Sequence, residues 1–278
     1  MSSRTGSPWL AAPLVLYLAL FLLFPSLHAL GLAFRDPASG TLPSLASFRA
    51  LARDSLFWRA LAGNVLVPAV TVAIEIASGL ALALLLAERL PARRLLRTLI
   101  LIPFALPEIV FLTIVRQALA PRGYANAALA AAGAAPVDWL APGSATAYLA
   151  VIATDAWRTT PVVFLLLLAA LAAIPGQIYE AARLDGARGV RLFRHVTLPL
   201  LRPALAAALL LRGVDALRIF ATPLVLTGAE GAPVLSTYAY HQWADQGDEA
   251  AAAAAAVLLA LLSATLFLPL LRRRRSAP

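Results

Sequence analysis

Five ionisable side chains, Asp155, Arg158, Arg212, Asp215 and Arg218, lie inside stretches of sequence that are otherwise apolar. A charge at the centre of a bilayer costs on the order of 2.5–3.5 kcal/mol even on a lenient insertion scale, so the group would cost roughly 10 kcal/mol or more if each member stood alone. They must face one another, water or a ligand. Residues 212, 215 and 218 step by three, a drift of about 60° per step on a helix, and share one face. Asp155, Arg158 and Thr159 stand at i, i+3 and i+4 and share another. Carboxylates accept hydrogen bonds and guanidinium groups donate them in pairs. Two readings stand: the charges pair across helices and hold a bundle together, or Asp155, Arg158, Thr159, Arg212 and Asp215 line a hydrophilic cavity. Glu75 and Glu108 are further single acids in apolar surroundings, and Glu108, beside Pro107, is the better placed to line a pathway. Catalysis and metal chemistry have little to work with. The chain has no Cys and its three His, at 28, 195 and 241, are scattered.

The elements that must position these groups follow from composition. At 61% hydrophobic, 13% charged and mean hydropathy +0.82 over 278 residues, the chain is far from the soluble average of about 25% charged. It reads as an all-α polytopic membrane protein. A bilayer core asks for about 20 apolar residues per helix, and six stretches qualify, near 9–34, 61–87, 98–119, 145–173, 203–226 and 250–271. They make one transmembrane domain over 1–278 with no appended soluble domain. The first reads as a retained span, because no early small-residue cleavage pattern follows Arg4. Pro103 and Pro107 predict a kink in the third.

All 23 basic residues are Arg, and the net charge of +9 fits membrane orientation better than nucleic-acid binding. One face collects fourteen: Arg4, Arg89, Arg93, Arg94, Arg97, Arg183, Arg188, Arg191, Arg194, Arg202 and Arg272 to Arg275. The other has five, Arg35, Arg49, Arg53, Arg59 and Arg122. Both termini and the loop 174–202 are therefore expected to be cytoplasmic. Arg116 can snorkel to the outer edge. The outer segment 35–60, with Phe48, Leu51, Phe57 and Trp58, reads as an interfacial amphipathic helix or as a contact for an external protein. Trp157 is expected to pack within the bundle, with stacking on a ligand ring as the alternative.

Between the fourth and fifth spans, residues 174–202 begin at the helix-breaking pair Pro175-Gly176 and reach Pro199 and Pro203, which predicts a short helix boxed between two stops. Glu180 is placed to pair with Arg183, and Asp185 with Arg188, at i,i+3 spacing. Ala181, Ala182, Gly186 and Gly189 leave parts of its surface nearly bare. Such a helix is either a solvated connector or a shape that seats in another protein's cleft.

The spacing here is specific. Glu180-Ala181-Ala182, three residues, Gly186, nine residues, then Val196, one residue and Leu198-Pro199 resembles the signature loop of permease subunits in binding-protein-dependent ABC importers. Arg183-Leu184-Asp185-Gly186-Ala187 looks like the carbohydrate-uptake branch, the maltose/glycerol-phosphate permease type. Phe220, Leu224 to Gly228 and Pro233 to Tyr240 resemble that branch's outer stretch, with Ala229-Glu230-Gly231-Ala232 as a departure in place of a glycine-glycine-proline turn. Asn64, Pro103, Pro107, Gly123, Asn126, Trp157 and Pro161 are fainter echoes.

The resemblance implies an ABC importer permease (type I) fold in a bacterial or archaeal inner membrane. It implies a coupling helix, with Glu180, Ala181, Ala182, Asp185, Gly186, Leu198 and Pro199, that docks on a cytoplasmic ATPase. The expected partners are a second homologous permease subunit, giving a heterodimer, two ATPase subunits that bind ATP and Mg, an external solute-binding protein, and membrane lipid. No cofactor and no nucleic acid is expected on this chain. Similar permeases place substrate contacts on the fourth and fifth spans, where Asp and Arg suit sugar hydroxyls. No Gly-x-x-x-x-Gly-Lys-Ser/Thr phosphate loop is present, so the chain is expected not to hydrolyse ATP itself. A permease for a non-sugar solute, polyamine or glycerol-phosphate, is the nearest alternative. A stand-alone secondary transporter is weaker, because residues 1–139 and 140–278 show no repeat and the Glu180 loop would lack a purpose.

Overall fold

The computed structural model describes residues 12–37, 39–87 and 93–275, with side chains described up to residue 266. Among the described residues every regular element is helical. Helix α1 (Ala12–Ala33, with a π turn inside it) is followed by α2 (Ala46–Arg53) and the 33-residue α3 (Ser55–Ala87). Then come α4 (Arg93–Ala105), α5 (Glu108–Ala118), α6 (Tyr124–Ala131) and α7 (Ala145–Ala172). The second half holds α8 (Gly176–Leu184), α9 (Gly189–Leu192), α10 (Leu198–Leu217), α11 (Ala221–Gly231), α12 (Leu235–Tyr240) and α13 (Glu249–Arg275). Arg4 and Arg89, and the side chains of Arg272 to Arg275, on which part of the orientation count rests, lie outside the described residues.

Helices α3 and α7 form the central pair. At about 1.5 Å per residue α3 is roughly 50 Å long, more than a bilayer core requires. The two approach closely because Gly79 faces Val163, where an added Cβ would fall 2.8 Å from a valine methyl. Ser144 starts α7, its side chain accepting from the Ala147 N–H at 3.1 Å, which satisfies one of the orphan donors of a helix N-terminus. Beneath them Leu86, Phe164, Leu167 and Leu201 close an apolar core.

Among the described residues four helices are long and apolar enough to cross a membrane, over 12–33, 55–87, 145–172 and 249–266. The other two expected spans are broken. In place of a kink, α4 and α5 meet at 94°, because Pro107 lacks an N–H and takes extended backbone (φ −55°, ψ 132°) immediately before α5. The stretch 203–226 is likewise two helices, interrupted at residues 218–220 between α10 and α11. Asn64 of α3, fully buried, stitches that interruption: its Nδ2 donates to the Leu217 carbonyl at 3.3 Å, and the Leu235 N–H donates to its Oδ1 at 3.1 Å. Gly63 beside it is obligatory, since a Cβ there would collide with the Pro233 carbonyl oxygen.

The outer segment also departs from expectation. Leu51 and Phe57 do not lie on an interface; both are buried, with Leu235, Tyr238 and the alanines at 251, 254 and 255. Phe57 belongs to the first turn of α3 and meets the Tyr238 ring edge-on at 5.8 Å. Tyr238 donates from its hydroxyl to Asp54 Oδ2 at 2.7 Å, and burial together with that carboxylate raises the phenol's pKa. Trp58 remains exposed. Trp157, expected inside the bundle, is 60% exposed and touches Phe111 edge-on at 5.3 Å.

A charged cavity and an exposed turn

Glu75 is at the centre of the charged cluster. It sits mid-way along α3 and is fully buried. Arg212 of α10 grips it with both edges of its fork, Nε to Oε2 at 2.7 Å and Nη2 to Oε1 at 2.9 Å. The Thr159 hydroxyl, with one proton to give, lies against both Glu75 Oε1 and the Asp155 carbonyl oxygen, the latter at 2.6 Å. Arg212 Nη2 also stands 3.7 Å from Asp155 Oδ2, and its Nη1 pairs with Asp215 one turn on. Thr222 at the start of α11 donates to Asp155 Oδ1 at 3.2 Å. One guanidinium thus serves carboxylates on three helices, α3, α7 and α10. Removing a partner from a buried ion pair costs about 3–5 kcal/mol because it strands the other charge.

A second, wetter shell surrounds this knot. Arg158 Nη2 reaches Glu108 Oε1 across the α5–α7 boundary at 3.0 Å. These two residues, with Asp155, Asp215 and Arg218, line a hollow of about 270 Å³ beside Phe220. A wider hollow of about 840 Å³ adjoins it through Glu108, Arg158, Arg212, Asp215 and Arg218 and continues past Phe104 and Leu210. All five residues singled out from the sequence are therefore brought together. The two readings divide among them: Asp155 and Arg212 are 4% exposed and paired, as is Thr159 at 3%, whereas the Asp215 side chain is 71% exposed to the hollow. Arg218 lies just beyond the end of α10 but faces the same space.

Glu108 does line the hollow. Glu75, ranked below it as a pathway residue because Glu108 adjoins Pro107, is the buried anchor. Asn64, Thr71, Glu75 and Ser78 recur along one side of α3, and Ser78 meets Thr160 of α7 at 3.0 Å. That polar stripe was the available signal, since membrane helices bury polar residues where they pack together.

The loop after α7 is built differently. Pro175 precedes α8, which ends at Leu184 in a closed turn: the Gly186 N–H donates to the Arg183 carbonyl at 3.1 Å and the Ala187 N–H to the Ala182 carbonyl at 2.9 Å. This pattern needs a left-handed residue at its turn, and Gly186 supplies it at φ +82°. The helix thus stops at Gly186, not at Pro199. Beyond it α9 runs through a π turn (Phe193–Thr197) straight into α10, with Pro199 in the first turn of α10 and Pro203 inside it. The extra residue of the π turn accommodates a proline that an unbroken α ladder would reject. Neither Glu180–Arg183 nor Asp185–Arg188 closes as an ion pair among the described residues. Glu180, Ala181, Asp185 and Gly186 are exposed, Ala182, Leu198 and Pro199 half-buried. Leu184, part of the branch-specific motif, and Val190, which drew no notice in the sequence, are 90% and 80% exposed on either side of the Gly186 turn.

Comparison with known proteins adds to this geometry. The family of binding-protein-dependent transport system inner membrane components matches residues 76–276. The trehalose/maltose transport system permease protein MalF of Thermococcus litoralis is 41% identical over 197 residues, 69% of this chain and 66% of that one, so the match spans just under two thirds of that relative. The trehalose transport system permease protein SugA of Mycobacterium tuberculosis is 34% identical over 239 residues, 81% of this chain and 76% of that one. The sulfoquinovosyl glycerol transport system permease protein SmoG of Agrobacterium fabrum is 32% identical over 85% of this chain and 78% of its own length. In the crystal structure of a bacterial ABC transporter involved in import of the acidic polysaccharide alginate, one chain superimposes with a TM-score of 0.83. It covers 97% of this chain and 96% of that one at 24% identity, which is evidence of fold.

Proposed function

The chain belongs to the family of binding-protein-dependent transport system inner membrane components, and from that premise we propose that it forms half of the translocation pathway of an ATP-driven sugar importer. Relatives named for trehalose, maltose and lactose transport support the sugar. A permease for another solute is the nearest alternative. In this reading the chain crosses the membrane six times with both termini in the cytoplasm, the bent α4–α5 pair and the interrupted α10–α11 pair each counting as one crossing. A second permease subunit completes the pathway, an external binding protein delivers the sugar, and two separate ATPase subunits bind ATP and Mg and hydrolyse the nucleotide.

One observation carries the mechanism. The exposed turn around Gly186, with Leu184 and Val190 turned outward, continues at one end into α7 and at the other into α10. Joined to the motif Glu180 to Gly186, these outward apolar side chains lead us to read the turn as the seat of the ATPase. Closure of the ATPase pair pushes α8, and the push passes into α7 and α10, which carry Asp155, Arg158, Arg212 and Asp215. Glu75 and Arg212 clamp α3, α7 and α10 together, so the helices entering and leaving the turn move as a unit and the cavity changes its open face.

The test is purification of the complex from its source membrane and uptake in proteoliposomes. An ATPase is expected to co-purify, and Glu180→Lys and Gly186→Trp are each expected to abolish sugar-stimulated hydrolysis and uptake. If no ATPase accompanies the chain and both variants transport normally, the importer reading is wrong.

A further inference from the structure

The cluster contains four carboxylates, Glu75, Glu108, Asp155 and Asp215, and three guanidinium groups, Arg158, Arg212 and Arg218, an excess of one negative charge. Their engagement is uneven. Arg212 spends Nε and Nη2 on Glu75 and Nη1 on Asp215, with Asp155 at 3.7 Å. Arg158 gives Nη2 to Glu108 at 3.0 Å, and its Nε is buried out of reach of any partner. Of the three guanidinium groups, Arg218 alone has no ion-pair partner among the described residues. By contrast, Glu108 and Asp215 each engage one oxygen, Oε1 and Oδ2, and keep the other open to the hollow, with side chains 42% and 71% exposed.

We infer that this half of the pathway selects neutral, hydroxyl-bearing sugars and rejects acidic ones, with Glu108 and Asp215 as the specificity-determining residues. The inference rests on the sugar-importer reading and deepens it. A neutral sugar finds two carboxylate oxygens ready to accept hydroxyl protons and one free guanidinium, Arg218, ready to donate. A uronate, sulfonate or phosphate ester meets an excess of like charge in a hollow bounded by protein, where repulsion is less screened than in bulk water. Contact with a second guanidinium means sharing Arg158 with Glu108 or Arg212 with Glu75 and Asp215, so the acid competes with a protein carboxylate already in place. Fold alone does not decide this, because the superimposable transporter chain comes from a system that imports an acidic polysaccharide.

The experiment uses the purified permease–ATPase complex without the binding protein, so that the latter's preference does not intervene. Neutral di- and trisaccharides and their uronate counterparts are titrated against it, with binding read by calorimetry and by thermal shift. Neutral members of the panel are expected to bind, with the matched uronates weaker by roughly tenfold or more. Glu108→Gln and Asp215→Asn, isosteric changes at solvent-reached positions, are each expected to narrow that gap by about threefold or more by removing one charge. Arg218→Gln is expected to weaken the neutral sugars without favouring the acids. Uronates that bind the unaltered complex as tightly as their neutral counterparts, or an unchanged gap in both Glu108→Gln and Asp215→Asn, overturn the inference and leave the sugar reading standing. Failure of every sugar, neutral or acidic, to bind overturns the sugar reading and the inference with it.

Discussion

The charged knot between α3, α7 and α10 and the turn between α7 and α10 break the rules of their surroundings in opposite senses. In the knot, ionised groups sit where apolar ones belong, and each buried one is gripped: Glu75 is fully buried, yet accepts two guanidinium bonds and faces a threonine hydroxyl. In the turn, apolar groups sit where solvated ones belong, Leu184 and Val190 stand almost free, and the charges around them close no ion pair among the described residues. The knot satisfies itself within the chain, while the turn leaves its two apolar side chains exposed. One region therefore holds the chain's own helices in register, and the other is, on the proposed reading, the seat of the ATPase.

That contrast yields ordered expectations. The largest effect belongs to Glu75→Ala, which leaves Arg212 buried beside weaker partners and should cost about 3–5 kcal/mol, seen as a large fall in the thermal midpoint of the purified complex. The double variant Glu75→Ala/Arg212→Met should recover part of that loss; no recovery would mean that the pair is not the source of the stability. Next comes Gly186→Val, which forces a β-branched residue into a left-handed conformation at a cost of about 1–3 kcal/mol. The damage should be local, so that sugar-stimulated ATP hydrolysis falls far more than the thermal midpoint, while Gly186→Asn retains most activity because asparagine tolerates that conformation. Leu184→Asp should leave the stability of the permease within about 0.5 kcal/mol yet weaken ATPase association in pull-down titrations. Smallest of all, Arg183→Gln should be near neutral for stability, within about 0.5 kcal/mol, since no ion pair with Glu180 closes.

The same division explains what could be read from the sequence. Helix faces were legible wherever the period is local: 155, 158 and 159 on one helix, 212 and 215 on another, and Gly186 of the turn after α8, whose left-handed φ accounts for its place in the motif. Partners were not legible, because approach between distant segments decides them. Arg212 meets Glu75 across 137 residues, and Asn64 meets Leu235 across 171. Breaks were only half legible. Pro107 announces a bend but not its 94°, and the interruption at 218–220 carries no proline or glycine, being held from outside by Asn64. Pro199 misled for the converse reason, since the π turn before it lets the helix continue.

The central claim is that Glu75, through Arg212, ties the two helices on either side of the coupling turn so that the motor's stroke reaches the cavity. Its most direct test is the number of ATP molecules hydrolysed per sugar imported by the reconstituted complex, compared between the unaltered chain and Glu75→Gln. The glutamine keeps the side chain's size but gives up the carboxylate that Arg212 grips. The account predicts that hydrolysis continues while uptake falls, raising the ratio by roughly tenfold or more as the ion pair is lost. An unchanged ratio in a stably folded Glu75→Gln complex would contradict it.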